Sequence, residues 1–457
     1  MSLVRSTWLH LMLVVLGVLL VRPEARAADV ELVRHLLDRT GFEVDPDQLA
    51  SLSRLPYEKA VDRLLAGVRT EAMTSAPASM STKPPGPAER RRRSEEEQRR
   101  FRRERREMGL ELKAWWLGEM IATDSPLTER MTLFWHGHFT SSLRKVKWAP
   151  ALHRQNELLR RHALGNFGEL LHALLRDPAM IAYLDNRTNR VGRPNENFAR
   201  ELMELFTLGE GHYSEDDVKE AARAFTGWTI DPRRARFRFV PDRHDYGEKT
   251  VLGVTGRLDG DDVVRILLAQ PQTARHVTLK LWNELVSTPP PSRTLERIAD
   301  RFRGSGYETS VLLREILLSS EFRSDTERGR RVRSPVDLVV GTLRLLDAWP
   351  EEPSPQVQRQ AVRVLRDLGQ DLFDPPNVKG WPGGTSWVST TTLLARRGFL
   401  ETALERSPSS LSSARARLAA LPSSELERLV LPVPPTQELV RRDRVAALLL
   451  DPAHQLE

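Results

Sequence analysis

Cysteine is absent from the 457 residues of the chain. That absence excludes disulfides, thiol nucleophiles, iron–sulfur clusters and cysteine-based zinc sites. Several catalytic motifs are missing too: no GxSxG nucleophile elbow, no HExxH zinc helix, no GxxxxGK[ST] phosphate loop, and no GxGxxG following a strand. Any chemistry is therefore left to histidine, carboxylate, hydroxyl, lysine and arginine side chains.

A strong charge of one sign is also lacking, because 69 Lys and Arg stand against 62 Asp and Glu, a formal net charge of +7. Hydrophobic residues make up 40% and charged residues 29% of the chain. These proportions are typical of globular domains and exclude a wholly disordered chain and a multi-span membrane protein. So small a basic excess predicts no nucleic-acid partner but is compatible with an anionic cell-envelope surface.

The first 27 residues have the pattern of an export signal. Arg5 precedes an apolar stretch, 9–21, and Ala25-Arg26-Ala27 forms a small-x-small cleavage site. The competing interpretation is a membrane anchor, but the apolar core of about 13 residues is shorter than the roughly 20 that span a bilayer. We therefore expect cleavage after Ala27 or Ala28 and a periplasmic or extracellular product with no transmembrane span.

Helical spacing of apolar residues dominates the rest of the chain and predicts a mainly α protein. Five sections are expected: the signal peptide 1–27, an N-terminal helical section 28–69, a Pro-rich linker and charged helix 70–107, one large multi-helical core domain 108–403, and a Ser-, Ala- and Pro-rich tail with a final helix, 404–457. Within the core domain, period-two alternation at 236–240 and the segment 250–252 predict a short β-hairpin excursion near 236–253.

The charged helix allows two interpretations. Residues 89–107 contain ten Arg and six Glu, interrupted by one aromatic residue, Phe101. They could form a basic patch for an acidic partner. The interpretation we favour is a solvated helix with Glu–Arg pairs at i,i+3 and i,i+4, because aromatic residues are not interleaved with the charges.

Four motifs occur in order: ERMTLFWHGHF (129–139), PNENFARELMELFTLGEGHYSEDDVKEAARAFTGW (194–228), HDYGEKTVLG (244–253) and PPNVKGWPGG (375–384). Together they make the chain resemble a large bacterial family, the domain of unknown function numbered 1800, over residues 30–455. The resemblance implies an exported, mainly helical protein. It also implies a partner, because such proteins are often encoded beside a family that looks like sulfatases and phosphatases. It implies no catalytic residues.

Histidine and carboxylate residues in these motifs predict a metal site. His136 and His138 point apart in a continuous helix, but Gly137 near a helix end would let both imidazoles converge. Asn197, Glu201 and Glu204 share one helix face. The alternatives are a core or capping role for the histidines and a buried Arg–Glu network for the acids.

A third pair, His244 and Asp245, lies in a loop near the predicted hairpin, where it could instead form a simple turn. Our hypothesis places a divalent transition metal (Zn, Mn or Fe) on His136, His138, Glu201 and His244. Glu204 or Asp245 would act as base, and Arg200 would hold an anionic substrate group. The function is then a metal-dependent enzyme, with hydrolysis favoured over oxidation. The alternative is a non-catalytic protein that binds a surface polymer or its sulfatase-like neighbour.

The loop 375–384 presents Lys379 and Trp381 on a stiff Pro- and Gly-rich turn. With Asn197 they are the predicted ligand-binding residues, since a tryptophan with polar neighbours suits carbohydrate or peptide contact. A rigid loop whose Trp381 fills a gap between helices is the alternative interpretation.

Overall fold

The computed structural model describes residues 27–86, 89, 92–231, 234–407, 413–436 and 443–457. The predicted signal peptide lies outside these residues except for Ala27. The chain is mainly helical, as predicted, and two small antiparallel hairpins complete it. Within the described part of the chain, no helix combines the length and the apolar character that crossing a bilayer needs.

The helices of the described residues are as follows. The first nine are α1 (Val30–Thr40), α2 (Pro46–Ser53), α3 (Tyr57–Ala66), α4 (Glu95–Ala122), α5 (Pro126–His138), α6 (Leu143–Val146), α7 (Ala149–Arg161), α8 (Phe167–Leu175) and α9 (Pro178–Tyr183). The central ones are α10 (Asn197–Glu201), α11 (Glu215–Ala224), α12 (Gly260–Ala269), α13 (Pro271–Leu285), α14 (Ser292–Gly304) and α15 (Thr309–Leu317). The last six are α16 (Pro335–Leu345), α17 (Pro355–Asp367), α18 (Thr390–Arg406), α19 (Ala414–Ala420), α20 (Ser423–Val430) and α21 (Arg444–Leu449).

Local capping chemistry explains several of these boundaries. Ser214 and Asp217 form a capping box at the start of α11, each side chain accepting from the other's backbone N–H. Proline opens α5, and the Ser125 hydroxyl makes no capping bond there but contacts the Thr128 hydroxyl at 2.8 Å. The charged helix α4 begins with a second capping box, formed by Ser94 and Glu97.

The helices bury three apolar clusters. The largest joins α5 and α7–α15 around aromatic side chains such as Trp135, Phe206 and Trp282. A second lies between α4, α16 and α17 and contains Trp116. The third packs α1 and α2 against the C-terminal helices α20 and α21. The section boundaries predicted at 69, 107 and 403 stay predictions; α4 passes through residue 107 without a break.

Both predicted strand segments are strands, but each pairs with its immediate neighbour. β1 (Trp228–Asp231) pairs with β2 (Arg236–Phe239), and β3 (Lys249–Val251) pairs with β4 (Val254–Gly256). The second hairpin closes through Leu252 and Gly253, both at positive φ (49° and 79°), the conformation that a two-residue hairpin turn requires. A leucine at such a position carries no sequence signal, so the sequence predicts one hairpin where the structure has two.

Candidate functional site

Three of the sequence motifs meet at the C-terminal end of α5. The loop 375–384 approaches so closely that a Cβ on Gly380 would lie 2.7 Å from the carbonyl oxygen of Gly137, and Gly380 has φ +85°. Only glycine suits such a position. On another side of the same helix end, the ring Nε2 of His138 lies 3.2 Å from the carbonyl oxygen of Phe206.

The segment that follows α10 is a widened π-helical turn, Leu202–Thr207, where the periodicity had predicted a regular helix. Its carbonyls are held by two imidazoles: His138 at Phe206, and His276 of α13, whose Nε2 lies 3.0 Å from the Leu205 oxygen. The two rings are 6.3 Å apart. π-helical turns occur frequently at functional sites. His276 was missed, because a lone histidine within a helical pattern carries no signal.

A cleft of about 580 Å³ opens beside this junction. Its walls come from the end of α5, from α13, from residues 330–334 and from the loop 375–384 with its continuation to Trp387. Its charged or titratable lining residues are Arg130, His138, Lys280, Glu284, Arg330, Arg331 and Lys379. Lys379 and Trp381, two predicted ligand-binding residues, therefore both line it.

The charges of the cleft are not balanced. Glu284, the single carboxylate among the described lining residues, is held by Arg331 at 3.1 Å and by Arg130 at 3.7 Å. Arg130 also pairs with Asp337 at 2.9 Å. Lys280, Lys379 and Arg330 are exposed and have no carboxylate partner within the described residues. Three cations without a salt-bridge partner among the described residues, from three separate elements, thus face one space.

The titratable groups of the cleft are close enough to change one another's pKa values. Burial, and then the charges of Lys280 and His276, lower the pKa of His138 well below its ordinary value, so its ring is neutral at neutral pH. Desolvation and the charge of Lys379 lower the pKa of Lys280. Nδ1 of His138 has no hydrogen-bond partner, whereas Nε2 is tied to Phe206.

Gly137 forms part of the cleft wall, and packing does not require a glycine at this position. A Cβ built on it meets no atom within 4 Å. Glycine inside a helix costs stability relative to alanine, about 0.5–1 kcal/mol. Its effect here is to widen the cleft.

His136, a predicted metal ligand, points away from the cleft. Its ring lies among Trp116, Phe373 and Trp381, at centroid distances of 5.4, 5.2 and 5.7 Å. Burial lowers its pKa to about 3. The expected convergence with His138 does not occur, because α5 continues through His138 and residues two apart on a helix point in different directions. Trp381 does fill a gap between helices, as the alternative interpretation expected, while still lining the cleft.

Glu201 and Glu204 do not line the cleft, but Glu201 is close enough to Lys379 for their charges to interact. Burial and the charge of Glu204 raise the pKa of Glu201, and Lys379 opposes that effect. Glu204 accepts a hydrogen bond from the Tyr213 hydroxyl at 3.0 Å. The Asn197 amide donates to the Leu184 carbonyl at 3.2 Å, an anchoring contact.

The remaining predicted residues belong to other networks. Arg200 forms an exposed bidentate pair with Glu215, both distances 2.7 Å, and reaches Glu196 at 3.1 Å. Asp245 is held by the Arg223 guanidinium at 2.8 Å.

His244 adjoins Asp245 but bonds to backbone. Its Nδ1 lies 2.9 Å from the carbonyl oxygen of Thr226, and the Lys249 ammonium donates to the Asp245 carbonyl at 2.6 Å. These contacts tie the HDYGEK motif to the segment before β1 and to the start of β3.

The predicted metal ligands are consequently distributed over several places: His136 in the core, His138 at the cleft, Glu201 beyond Lys379, and His244 at the hairpins. Across the described ranges, no three His, Asp or Glu side chains are grouped so that they could hold a metal ion. The metal site stays a prediction, without support from this arrangement.

Comparison with known proteins agrees with the motif order. No curated protein and no solved structure matches the chain. A family model described as "Protein of unknown function (DUF1800)" matches residues 35–455, nearly the whole chain. The protein is therefore a member of the DUF1800 family.

Proposed function

We propose that this DUF1800 protein is an exported cell-envelope protein that binds an anionic ligand in the cleft beside α5. The observation that carries the proposal is the convergence of Lys280, Lys379 and Arg330, from three separate elements, on a space whose one described lining carboxylate is already engaged. Like charges gathered without partners repel one another, and an anion placed between them removes that cost.

The shape of the cleft supports a small ligand. Its volume of about 580 Å³ lies within the range of about 300–1,000 Å³ that is typical of small-molecule sites. Gly137 leaves part of the wall without a side chain, and the indoles of Trp381 and Trp387 supply apolar surface. The ligand we expect carries a phosphate, sulfate or carboxylate group on a body of modest size.

The binding test uses two anions of different shape, inorganic phosphate and citrate, measured by titration calorimetry. The double variant Lys280→Met/Lys379→Met should raise the dissociation constants at least about tenfold, equivalent to about 1.4 kcal/mol. The control Lys59→Met/Lys219→Met removes the same charge from exposed lysines paired with Asp62 and Asp216, outside the cleft. It should change the constants less than about twofold. No anion binding by the unaltered protein, or equal losses in both variants, would refute the proposal.

A hydrolytic enzyme is the second candidate, and His138 is the observation that favours it. The residue lines the cleft, its ring is neutral, and its buried Nδ1 has no partner. A general base must be neutral before it accepts a proton, but the low pKa makes this imidazole a weak base until a bound substrate changes its surroundings. Hydrolysis of phosphate or carboxylate esters should then fall at least about a hundredfold in His138→Gln, by analogy with other bases. Elemental analysis of the purified protein tests the metal-dependent form of this hypothesis.

The proposed location of the protein is the cell envelope, because residues 1–27 have the pattern of an export signal. N-terminal sequencing of the protein recovered outside the cytoplasm should begin at Ala28 or Asp29. A sulfatase- or phosphatase-like protein and a surface polymer are the proposed partners, and co-purification from envelope extracts tests them.

A further inference from the structure

A second charged groove, of about 350 Å³, lies between α4, the turn that follows α6, and α17. Seven basic side chains line it: Arg102, Arg105, Arg106, Lys113, Arg144, Lys147 and Arg366. Two carboxylates, Asp371 and Asp374, are the acids among the described lining residues. None of these residues belongs to the cleft beside α5.

The two carboxylates form salt bridges with cations at the floor of the groove. The ammonium of Lys113, nearly buried, lies 2.6 Å from Asp371 and 3.0 Å from Asp374. Arg144 approaches Asp374 at 3.5 Å. The floor is therefore close to electrically balanced and contributes little to the potential of the groove.

The walls are not balanced. The side chains of Arg102, Arg106 and Lys147 are exposed and make no hydrogen bond or ion pair with the described part of the chain. Arg102 and Arg106 lie one turn apart on α4, a rise of about 6 Å along its axis. Lys147 follows α6 in a left-handed conformation, φ 60°. Unpaired cations thus follow the groove at intervals.

The lining chemistry distinguishes between classes of partner. Specific protein interfaces have an apolar or aromatic centre, whereas the apolar lining here is Leu110, Leu143 and Val362, with no aromatic ring among the described lining residues. A membrane-binding helix exposes large apolar side chains opposite its basic face, whereas Phe101, which precedes Arg102 on α4, is stacked on Trp148 at 6.5 Å. A groove with spaced, unpaired cations fits an extended chain that carries repeated negative groups.

We propose that this groove binds a linear anionic polymer, with Arg102, Arg106 and Lys147 contacting successive anionic groups. Association with a polyanion releases its condensed counterions, so the affinity should fall steeply with salt. The site is independent of the cleft beside α5, and each can be tested without the other.

The experiment measures binding of the full mature chain to polygalacturonate and to polyphosphate over a series of salt concentrations. In the variant Arg102→Gln/Arg106→Gln/Lys147→Gln, affinity for the bound polymer should fall at least about tenfold, and its salt dependence should weaken. The control Arg99→Gln/Arg100→Gln/Arg103→Gln removes three charges from the same helix at exposed positions outside the groove. It should lose less than about threefold.

Two further arms separate the alternatives. Lys280→Met/Lys379→Met should keep its polymer affinity, whatever happens to small anions. Binding of poly-L-glutamate alone, or of phosphatidylglycerol vesicles alone, would replace the proposal by an acidic protein or a membrane. Equal losses in the groove and control triples, or no binding of either polymer, would overturn it. Because the substituted side chains are exposed, thermal unfolding should show all variants folded.

Discussion

Two glycines inside helices have opposite effects on their surroundings, one allowing close packing and the other leaving open space. Gly341 of α16 allows close packing, since a Cβ there would lie 2.2 Å from the carbonyl oxygen of Phe42. Gly137 of α5 faces open space at the cleft. The first glycine is required by the fold, whereas the second weakens its own helix and leaves open space in the cleft.

The substitution Gly137→Ala should therefore stabilise the protein by about 0.5–1 kcal/mol, because alanine forms helix better and meets no neighbour. Anion affinity should fall at the same time as the cleft narrows, and more so in Gly137→Leu. Urea unfolding and calorimetric titration measure the two effects. Loss of stability in Gly137→Ala would contradict the account.

Gly341→Ala is the contrasting variant. The clash with backbone should cost about 1–3 kcal/mol, the range of overpacked cores. Urea unfolding measures this cost, and unchanged stability would mean that the α16 contact adjusts more easily than its geometry indicates.

Single residues were the hardest feature to predict from sequence. Lys379, Trp381 and His138 were singled out from sequence, because a stiff loop and a histidine near a helix end are local signals, and all three line the cleft; their roles stay predictions. The direction of His136 depends on where α5 ends. The prediction placed the helix end near Gly137, but α5 continues to His138, and the ring of His136 therefore points into the core. Lys280 and Arg330 carried no signal, since isolated cations are ordinary surface residues until the fold brings them together.

At the scale of elements, apolar periodicity predicted the helices well. The helical spacing of apolar residues predicted a multi-helical core domain over 108–403, and α12–α15 lie within it. The π-helical turn was missed because its residues fit a regular helical stripe, and the widening is stabilised by imidazoles from α5 and α13. Tertiary contacts of that kind leave no trace in local spacing.

The helix α9 offers a test of a buried cap. Asp177 is its N-cap, accepting from the Met180 N–H at 3.0 Å and from the Gln155 amide at 2.8 Å. Desolvation by burial raises the pKa of this carboxyl to about 7. The unfolded chain ionises first as the pH rises from about 4, so Asp177 lowers stability progressively up to pH 7.

Asp177→Asn keeps a good N-cap without the buried charge. It should be more stable than the unaltered protein at pH 8, by about 1–3 kcal/mol, and should gain nothing at pH 4. Urea unfolding at the two pH values measures the difference. Equal effects at both would show that Asp177 is ionised freely in the folded state.

At the scale of the whole molecule, buried neutral histidines predict acid lability. Burial lowers the pKa of His35, His136 and His454 to about 3, so each stays neutral in the folded state while its unfolded counterpart protonates below about 6.5. Their stabilising contribution is complete above pH 6.5 and is lost as the pH falls toward 3.

His138 adds a fourth buried neutral ring, whereas Asp177 and Glu457, whose pKa values burial raises to about 7, oppose the effect. The free energy of unfolding should therefore decrease by about 2–3 kcal/mol per pH unit between pH 6 and 4. Urea unfolding over that interval measures the slope. His35→Phe, at a position where the imidazole lies 4.7 Å from the Phe322 ring, should reduce it by about 1.4 kcal/mol per unit. A flat profile would mean that the histidines protonate within the folded protein.

The turn Leu202–Thr207 has one last implication, for how the sequence tolerates deletions. A π turn accommodates an additional residue compared with regular α geometry, so removing one amino acid from it would restore the ordinary helical repeat. The widened turn that presents the carbonyls of Leu205 and Phe206 to both imidazoles would then be lost. Deletion scanning across this stretch should therefore find folded molecules whose cleft wall is misaligned.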